Sequence, residues 1–270
     1  MLHARRYDLA NDAPWVVFVH GAGGSSSIWH QQMRDFRARY NVLMVDLRGH
    51  GGSQLSEDQA LTLDYTFDAV SREVIDVLDR EGIHAAHFVG ISLGCIVIRT
   101  IAEMESDRVL SMTLGGAIVR LDLRSRLLVW GGNVFKRVVP FLWLYKLFAW
   151  VIMPRAAHEE SRSLFVREAR KMAQREFVRW FRLTTEVTPL LRLYRERELD
   201  TPTLYVMGDQ DHLFLPPARK LADEHVKSEL HVVEASGHVV NVDQPETFNR
   251  VAIAFIDRIA GIDRAELQAA

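Results

Sequence analysis

A chain of 270 residues, 48% hydrophobic and 25% charged, suits one large domain or a domain with an insertion, and its formal charge of -2 argues against a nucleic-acid partner. One cysteine, Cys95, excludes an internal disulfide framework and any cysteine-based metal cluster. Residues 1–14 lack the apolar core of a secretory signal, so the expected compartment is cytoplasmic, and neither repeats nor low-complexity segments occur.

In chain order, short β-branched runs at 15–20, 41–46, 86–90, 109–116, 203–208 and 230–234 are mostly apolar on both faces, as interior strands of a parallel sheet are. Between them lie helical patterns. Phe67, Val70, Val74, Ile75, Val77 and Leu78 share one face, and the last pattern runs from Pro245 to Gly261 with apolar residues at 248, 251, 255 and 259. The alternation predicts an α/β fold with a mostly parallel central sheet flanked by helices.

The alternation stops at 120–199, where a helical cap is expected between two strands; 1–119 and 200–270 then form the core domain. Phe165, Ala169, Met172, Phe177, Trp180 and Phe181 approximate one helical face there. The run 138–153 is apolar except for Lys146, but Pro140 and Pro154 limit a helix to about 13 residues, short of the ~20 a bilayer needs. A cap over an apolar pocket is expected, without stable membrane insertion. Residues 120–200 hold 17 Lys and Arg against 9 Asp and Glu, so a basic insertion sits on an acidic body. A solvated arginine-rich face explains this, and attraction of anionic substrates is the functional alternative.

Residues 90–94 read G-I-S-L-G, directly after a strand and before a helical pattern. A serine at such a turn is held in a strained conformation with its Oγ outward, while Gly90 and Gly94 omit side chains that would crowd the bend. Serine needs a base and an acid. Of 11 histidines, His238 is best placed, between the last strand and the last helix. No histidine pair has metal-ligand spacing, and no metal or other cofactor is expected. Asp209 and Asp211 both follow the strand at 203–208, and either can orient an imidazole. The small residues of HGAGGSS, at 20–26, allow close approach of backbone N–H groups, so Ala22 and Leu93 form a candidate oxyanion pair.

With HGAGGSS, DLRGHGGS at 46–53, GISLG, GDQD at 208–211 and SGH at 236–238 in this order, the chain resembles capped α/β-hydrolases of the esterase, lactonase and carbon-carbon hydrolase branch. The resemblance implies Ser92 as nucleophile, Asp211 as the acid with Asp209 supporting the turn, and His238 as base. It also implies that Asp46, Arg48, Gly49 and His50 belong to a structural turn near the site. The N-terminus holds only one or two early strands where the family often has more. A serine hydrolase acting on a carboxylic ester or related small acyl compound is expected. A carbon-carbon bond hydrolase or lactonase, and a non-catalytic ligand receptor on the same fold, are the alternatives. Trp143, Phe148 and Val239 are candidate pocket residues, and the cap's apolar surface is the one hint of a homodimer.

Overall fold

A computed structural model describes residues 1–55, 64–135 and 139–262. Seven strands form one sheet: β1 (Ala4–Tyr7), β2 (Trp15–Val19), β3 (Asn41–Val45), β4 (Ala86–Ile91), β5 (Val109–Gly115), β6 (Thr203–Gly208) and β7 (Ser228–Val233). Their spatial order is β1-β3-β2-β4-β5-β6-β7, and every pairing is parallel except that of β1 with β3. β1 is the strand that the apolar pattern does not reveal: its sequence, ARRY, pairs along the edge with Arg5 and Arg6 exposed.

The helices follow the strands. α1 (Met33–Arg37) links β2 to β3, α2 (Phe67–Glu81) precedes β4, and α3 (Leu93–Met104) leads from β4 towards β5. α4 (Leu123–Phe135), α5 (Phe141–Ile152), α6 (Glu159–Ala169), α7 (Gln174–Arg182) and α8 (Thr184–Glu196) all lie between β5 and β6. α9 (Leu215–Glu224) joins β6 to β7, and the short α10 (Val240–Asp243) and long α11 (Pro245–Ala260) end the fold. Helices cover both faces of the sheet, which is why Val16, Val17, Phe18 and Val19 of β2 are all fully buried. On one face Trp29 and Phe36 pack against Phe18, with Phe248 on Trp29; on the other, α2 and α3 bury Val74, Leu78 and Ile98.

Local chemistry sets the ends of α2. Thr66 is extended (φ -131°, ψ 159°) and its hydroxyl accepts the Ala69 N–H at 3.0 Å, while Gly82 takes the left-handed conformation (φ 69°) that closes the helix. The apolar pattern from 165 to 181 is not one helix. α6 and α7 are separated by a turn in which Ala173 is extended, yet Ala169, Met172, Phe177, Trp180 and Phe181 are all buried.

The strand order places a ligand crevice. β2 is flanked by β3 on one side and β4 on the other, so the winding of the sheet reverses there and the loops after β2 and β4 splay apart. The loops following β2, β4, β6 and β7 all emerge at the carboxyl edge, bringing distant segments of sequence together.

Two interior histidines tie this fold to pH. His87 of β4 is buried and bonded to Ser111 Oγ at 2.8 Å, and burial lowers its pKa from 6.5 to about 4. His50 is lowered to about 3 by burial and by the proximity of His20. Between these values and 6.5 the unfolded chain binds more protons, so stability rises with pH across that window. Denaturation in urea should lose about 1 kcal/mol per histidine for each pH unit below about 6.5, with a shallower slope for His87→Gln. An unchanged slope in that variant would remove His87 from the account.

Candidate functional site

β4 runs into α3 through one residue. Ser92 has φ 54° and ψ -115°, a left-handed backbone rare for any side chain, and its N–H donates to Gly115 O at 2.9 Å. The bend lets α3 start hard against β2. A Cβ on Gly94 would lie 2.2 Å from Val19 O, so nothing larger than glycine fits without moving backbone. The turn aims the Ser92 hydroxyl away from the sheet and towards the loops after β6 and β7.

Those loops supply the partners. His238 Nε2 lies 2.9 Å from Ser92 Oγ, and His238 Nδ1 lies 2.8 Å from Asp211 Oδ2. Asp211 is fully buried, and its other oxygen accepts the Phe214 N–H at 3.1 Å. Because that carboxylate is an acceptor only, Nδ1 carries the proton towards it and Nε2 is left to accept from the serine hydroxyl. Asp209 sits outside this chain of bonds: its Oδ1 accepts the Ser236 N–H at 3.1 Å and ties the two loops together.

Ala22 and Leu93 both line the cavity beside Ser92. Leu93 is the first residue of α3, where the helix offers no acceptor for its N–H, and the positive end of the helix dipole lies there. The Ala22 loop is braced by two neutral histidines. His20 Nδ1 bonds Gly21 O at 2.7 Å while its Nε2 accepts the Leu47 N–H at 2.9 Å. His50 bonds Arg48 O at 2.9 Å and its Nε2 accepts the Gly23 N–H at 2.9 Å. Burial lowers the pKa of both, which keeps each an acceptor at neutral pH. Asp46 completes the bracing by accepting N–H groups of Ser26 at 2.6 Å and Gly52 at 2.8 Å; these outweigh its burial and lower its pKa.

The cavity of about 230 Å³ above Ser92 is walled by the core below and by helices α4 to α8 above, the last through Val187. Its lining is almost wholly apolar, with Ile96, Leu128, Phe148, Phe165, Phe177 and Val239 among the contributors. Phe148 stacks on Phe181 at 5.6 Å. Trp143 does not reach the cavity. It is 66% exposed on the outer face of α5, because Tyr145 and Phe148 take the inward positions of that helix. Trp130 and Phe135 of α4 and Trp150 of α5 are also exposed.

Two lining residues escape the sequence reading. Tyr145 from α5 covers Gly23, where a Cβ would fall 2.3 Å from the phenol oxygen and where φ is 69°. Glu168 from α6 is the one carboxylate among the described residues lining the cavity, and no Lys or Arg of those residues lines it. It is buried, accepts the Ser25 hydroxyl at 2.8 Å and pairs with Lys171 at 2.7 Å. Burial acts to raise its pKa, but the bonds from Lys171 and Ser25 prevail and lower it, so the group is ionised. Its spacing, three residues after Phe165 on the inward face, was the available signal. Cys95 is buried with Sγ donating to Gly115 O at 3.3 Å, and burial pushes its thiol pKa up, so it is no second nucleophile.

Residues 16–251 match the model of the alpha/beta hydrolase family. The chain is 23% identical over 252 residues to 3-oxoadipate enol-lactonase 1 of Acinetobacter baylyi, covering 92% of this chain and 90% of that one. It is 28% identical over 265 residues to the putative carbamate hydrolase RutD of Stutzerimonas stutzeri, covering 93% and 94%. Among solved structures, the enol-lactonase from Burkholderia xenovorans superposes with a TM-score of 0.79 at 21% identity, over 94% of this chain and 96% of that one.

The close approach at the Ser92 turn is testable by stability. Gly94→Ala should lose about 2–3 kcal/mol in urea denaturation, because the added methyl meets backbone oxygen that cannot swing away. A variant as stable as the parent would contradict the packing of α3 on β2.

Proposed function

The chain belongs to the alpha/beta hydrolase family, and on that footing we propose that it is a serine hydrolase that cleaves carboxylic esters, or related acyl compounds, with an apolar acyl part. The observation that carries this reading is the continuous series Ser92–His238–Asp211, at 2.9 and 2.8 Å, opening into an apolar cavity. Ser92 Oγ attacks the acyl carbonyl as its proton passes to His238 Nε2. Asp211 holds the imidazole in the required tautomer and stabilises the imidazolium, and the Ala22 and Leu93 N–H groups receive the oxyanion. The alkoxide of the tetrahedral intermediate collapses, His238 gives the proton to the leaving oxygen, and Ser92 retains the acyl group. Water then attacks with His238 again as base, releasing the acid and restoring the serine.

In this reading residues 120–199 act as a cap over the core formed by 1–119 and 200–270. The cap is hydrogen-bonded to the loops that build the site: Trp180 Nε1 donates to Arg48 O at 3.0 Å, Tyr65 donates to Glu176, and Ser161 donates to Asp243. The cavity wall narrows the substrate class further. A substrate carboxylate seated there would meet the ionised Glu168 and no cation among the described lining residues, so neutral acyl groups are favoured and the basic character of the cap is not expressed inside. The similarity to an enol-lactonase supports a cyclic ester as a second substrate form, opened by the same steps.

Hydrolysis of p-nitrophenyl esters tests the proposal. Neutral medium-chain esters should be turned over with higher kcat/KM than acetate or than chains of equal length ending in a carboxylate. Ser92→Ala should fold and lose kcat by roughly 10⁴- to 10⁶-fold, since such groups act as a unit. Substantial turnover by that variant would sink the assignment, and a preference for the carboxylated chain would overturn the substrate class.

A further inference from the structure

The outer face of the cap is more apolar than a solvated surface needs to be. On α4, Leu127, Trp130 and Val134 are 57%, 64% and 48% exposed; on α5, Trp143, Leu147 and Trp150 are 66%, 51% and 62% exposed. Spacings of three, four and seven residues put each trio on one side of its helix. Both helices meet one cluster of rings: a Cβ on Gly132 of α4 would fall against the rings of Phe181 of α7 and Phe148 of α5. Their inner faces, with Val129 and Tyr145, line the cavity, so the two outer faces look away from it together.

Along α4, α5 and the segments that adjoin them, from 123 to 158, charge has one sign. Residues 123–158 contain six Lys and Arg and no Asp or Glu. Among them Arg126, Lys146 and Arg155 are exposed, and the Lys146 ammonium sits 5.3 Å from the Trp143 ring centre. Monomers seldom leave so large an apolar area facing water unless something covers it.

We propose that this face docks on a lipid surface bearing anionic headgroups. Tryptophan favours the boundary between headgroup and acyl chain, where its ring is sheltered and its N–H stays hydrated. Flanking Lys and Arg are drawn to the negative potential of such a surface. The helices lie on the surface rather than cross it: α5 has 12 residues, and no described helix is long and apolar enough to span a membrane. Charge favours lipid over a second copy of the chain. A two-fold contact would set this patch against itself, bringing like charges together with no carboxylate anywhere in 123–158 to offset them. Docking by the outer faces of α4 and α5 would hold the cavity walled by their inner faces against the phase in which apolar esters dissolve.

Co-sedimentation of the full chain with vesicles tests this independently of catalysis. Vesicles of phosphatidylcholine with about 30% phosphatidylglycerol should retain at least about ten times more protein than pure phosphatidylcholine, and about 0.5 M salt should release most of it. The double variant Trp143→Ser, Trp150→Ser lies outside the cavity; it should lose that binding by about tenfold while keeping soluble-ester turnover, and Lys146→Glu should weaken binding several-fold. Absence of binding to the phosphatidylglycerol vesicles would overturn the proposal, as would undiminished binding by the double variant. A dimer seen in sedimentation velocity that depends on Trp143 and Trp150, without vesicle binding, would overturn it in favour of self-association.

Discussion

A strand that becomes a helix within one residue is the constraint on which the site depends. Ser92 accepts a left-handed backbone at a cost of about 1–3 kcal/mol, and it persists because both sides are held: its N–H is bonded to β5, and α3 is seated against Val19. The same bend does three things at once. It turns the hydroxyl towards His238, leaves the Leu93 N–H without a helical acceptor, and brings α3 against β2, with Leu93 and Ala22 lining one cavity. The geometry is inherited from the sheet, whose winding reverses at β2 and so opens its crevice at this edge.

Around that bend, neutral buried histidines and ionised buried carboxylates divide the work. His20 and His50 serve as acceptors for loop N–H groups, a role they fill only while unprotonated, and burial enforces that state. Asp46 and Glu168 remain charged because N–H, hydroxyl and ammonium donors replace water at each. The helices between β5 and β6 are fastened through the same polar vocabulary, with Glu168 on Ser25 beside the candidate oxyanion loop and His158 on Gln210 beside the Asp211 loop. The site is an apolar cavity with Ser92 and His238 at its floor and Glu168 in its wall.

Much of this was legible in the sequence, for physical reasons that differ by element. The strands β2 to β6 announce themselves because both faces are covered and the runs are mostly apolar, and the edge strand β7 shows through its apolar end, Val232 and Val233. β1 hides because it is an edge strand of four residues with two arginines facing solvent. Ser92 and His238 could be chosen because each follows a strand, whereas Asp211 was separable from Asp209 only by the family resemblance; the structure brings the three within hydrogen-bonding distance. The inward face of α5 could not be read: nearly every residue from 141 to 152 is apolar, so periodicity has no polar side to point away from, and Trp143 was placed inside when it lies outside. Glu168 was overlooked because a carboxylate in a basic segment looks like a surface partner, and its burial depends on Ser25, 143 residues earlier.

The central claim is that the fold activates the hydroxyl of Ser92. Treating the folded chain with a fluorophosphonate and mapping the adduct by peptide mass spectrometry tests it most directly. The account predicts one adduct, on Ser92, which disappears when the chain is unfolded in urea before labelling, since activation requires His238 at 2.9 Å and Asp211 behind it. Failure of the folded chain to react, reaction at another residue, or equal labelling of Ser92 after unfolding would contradict it.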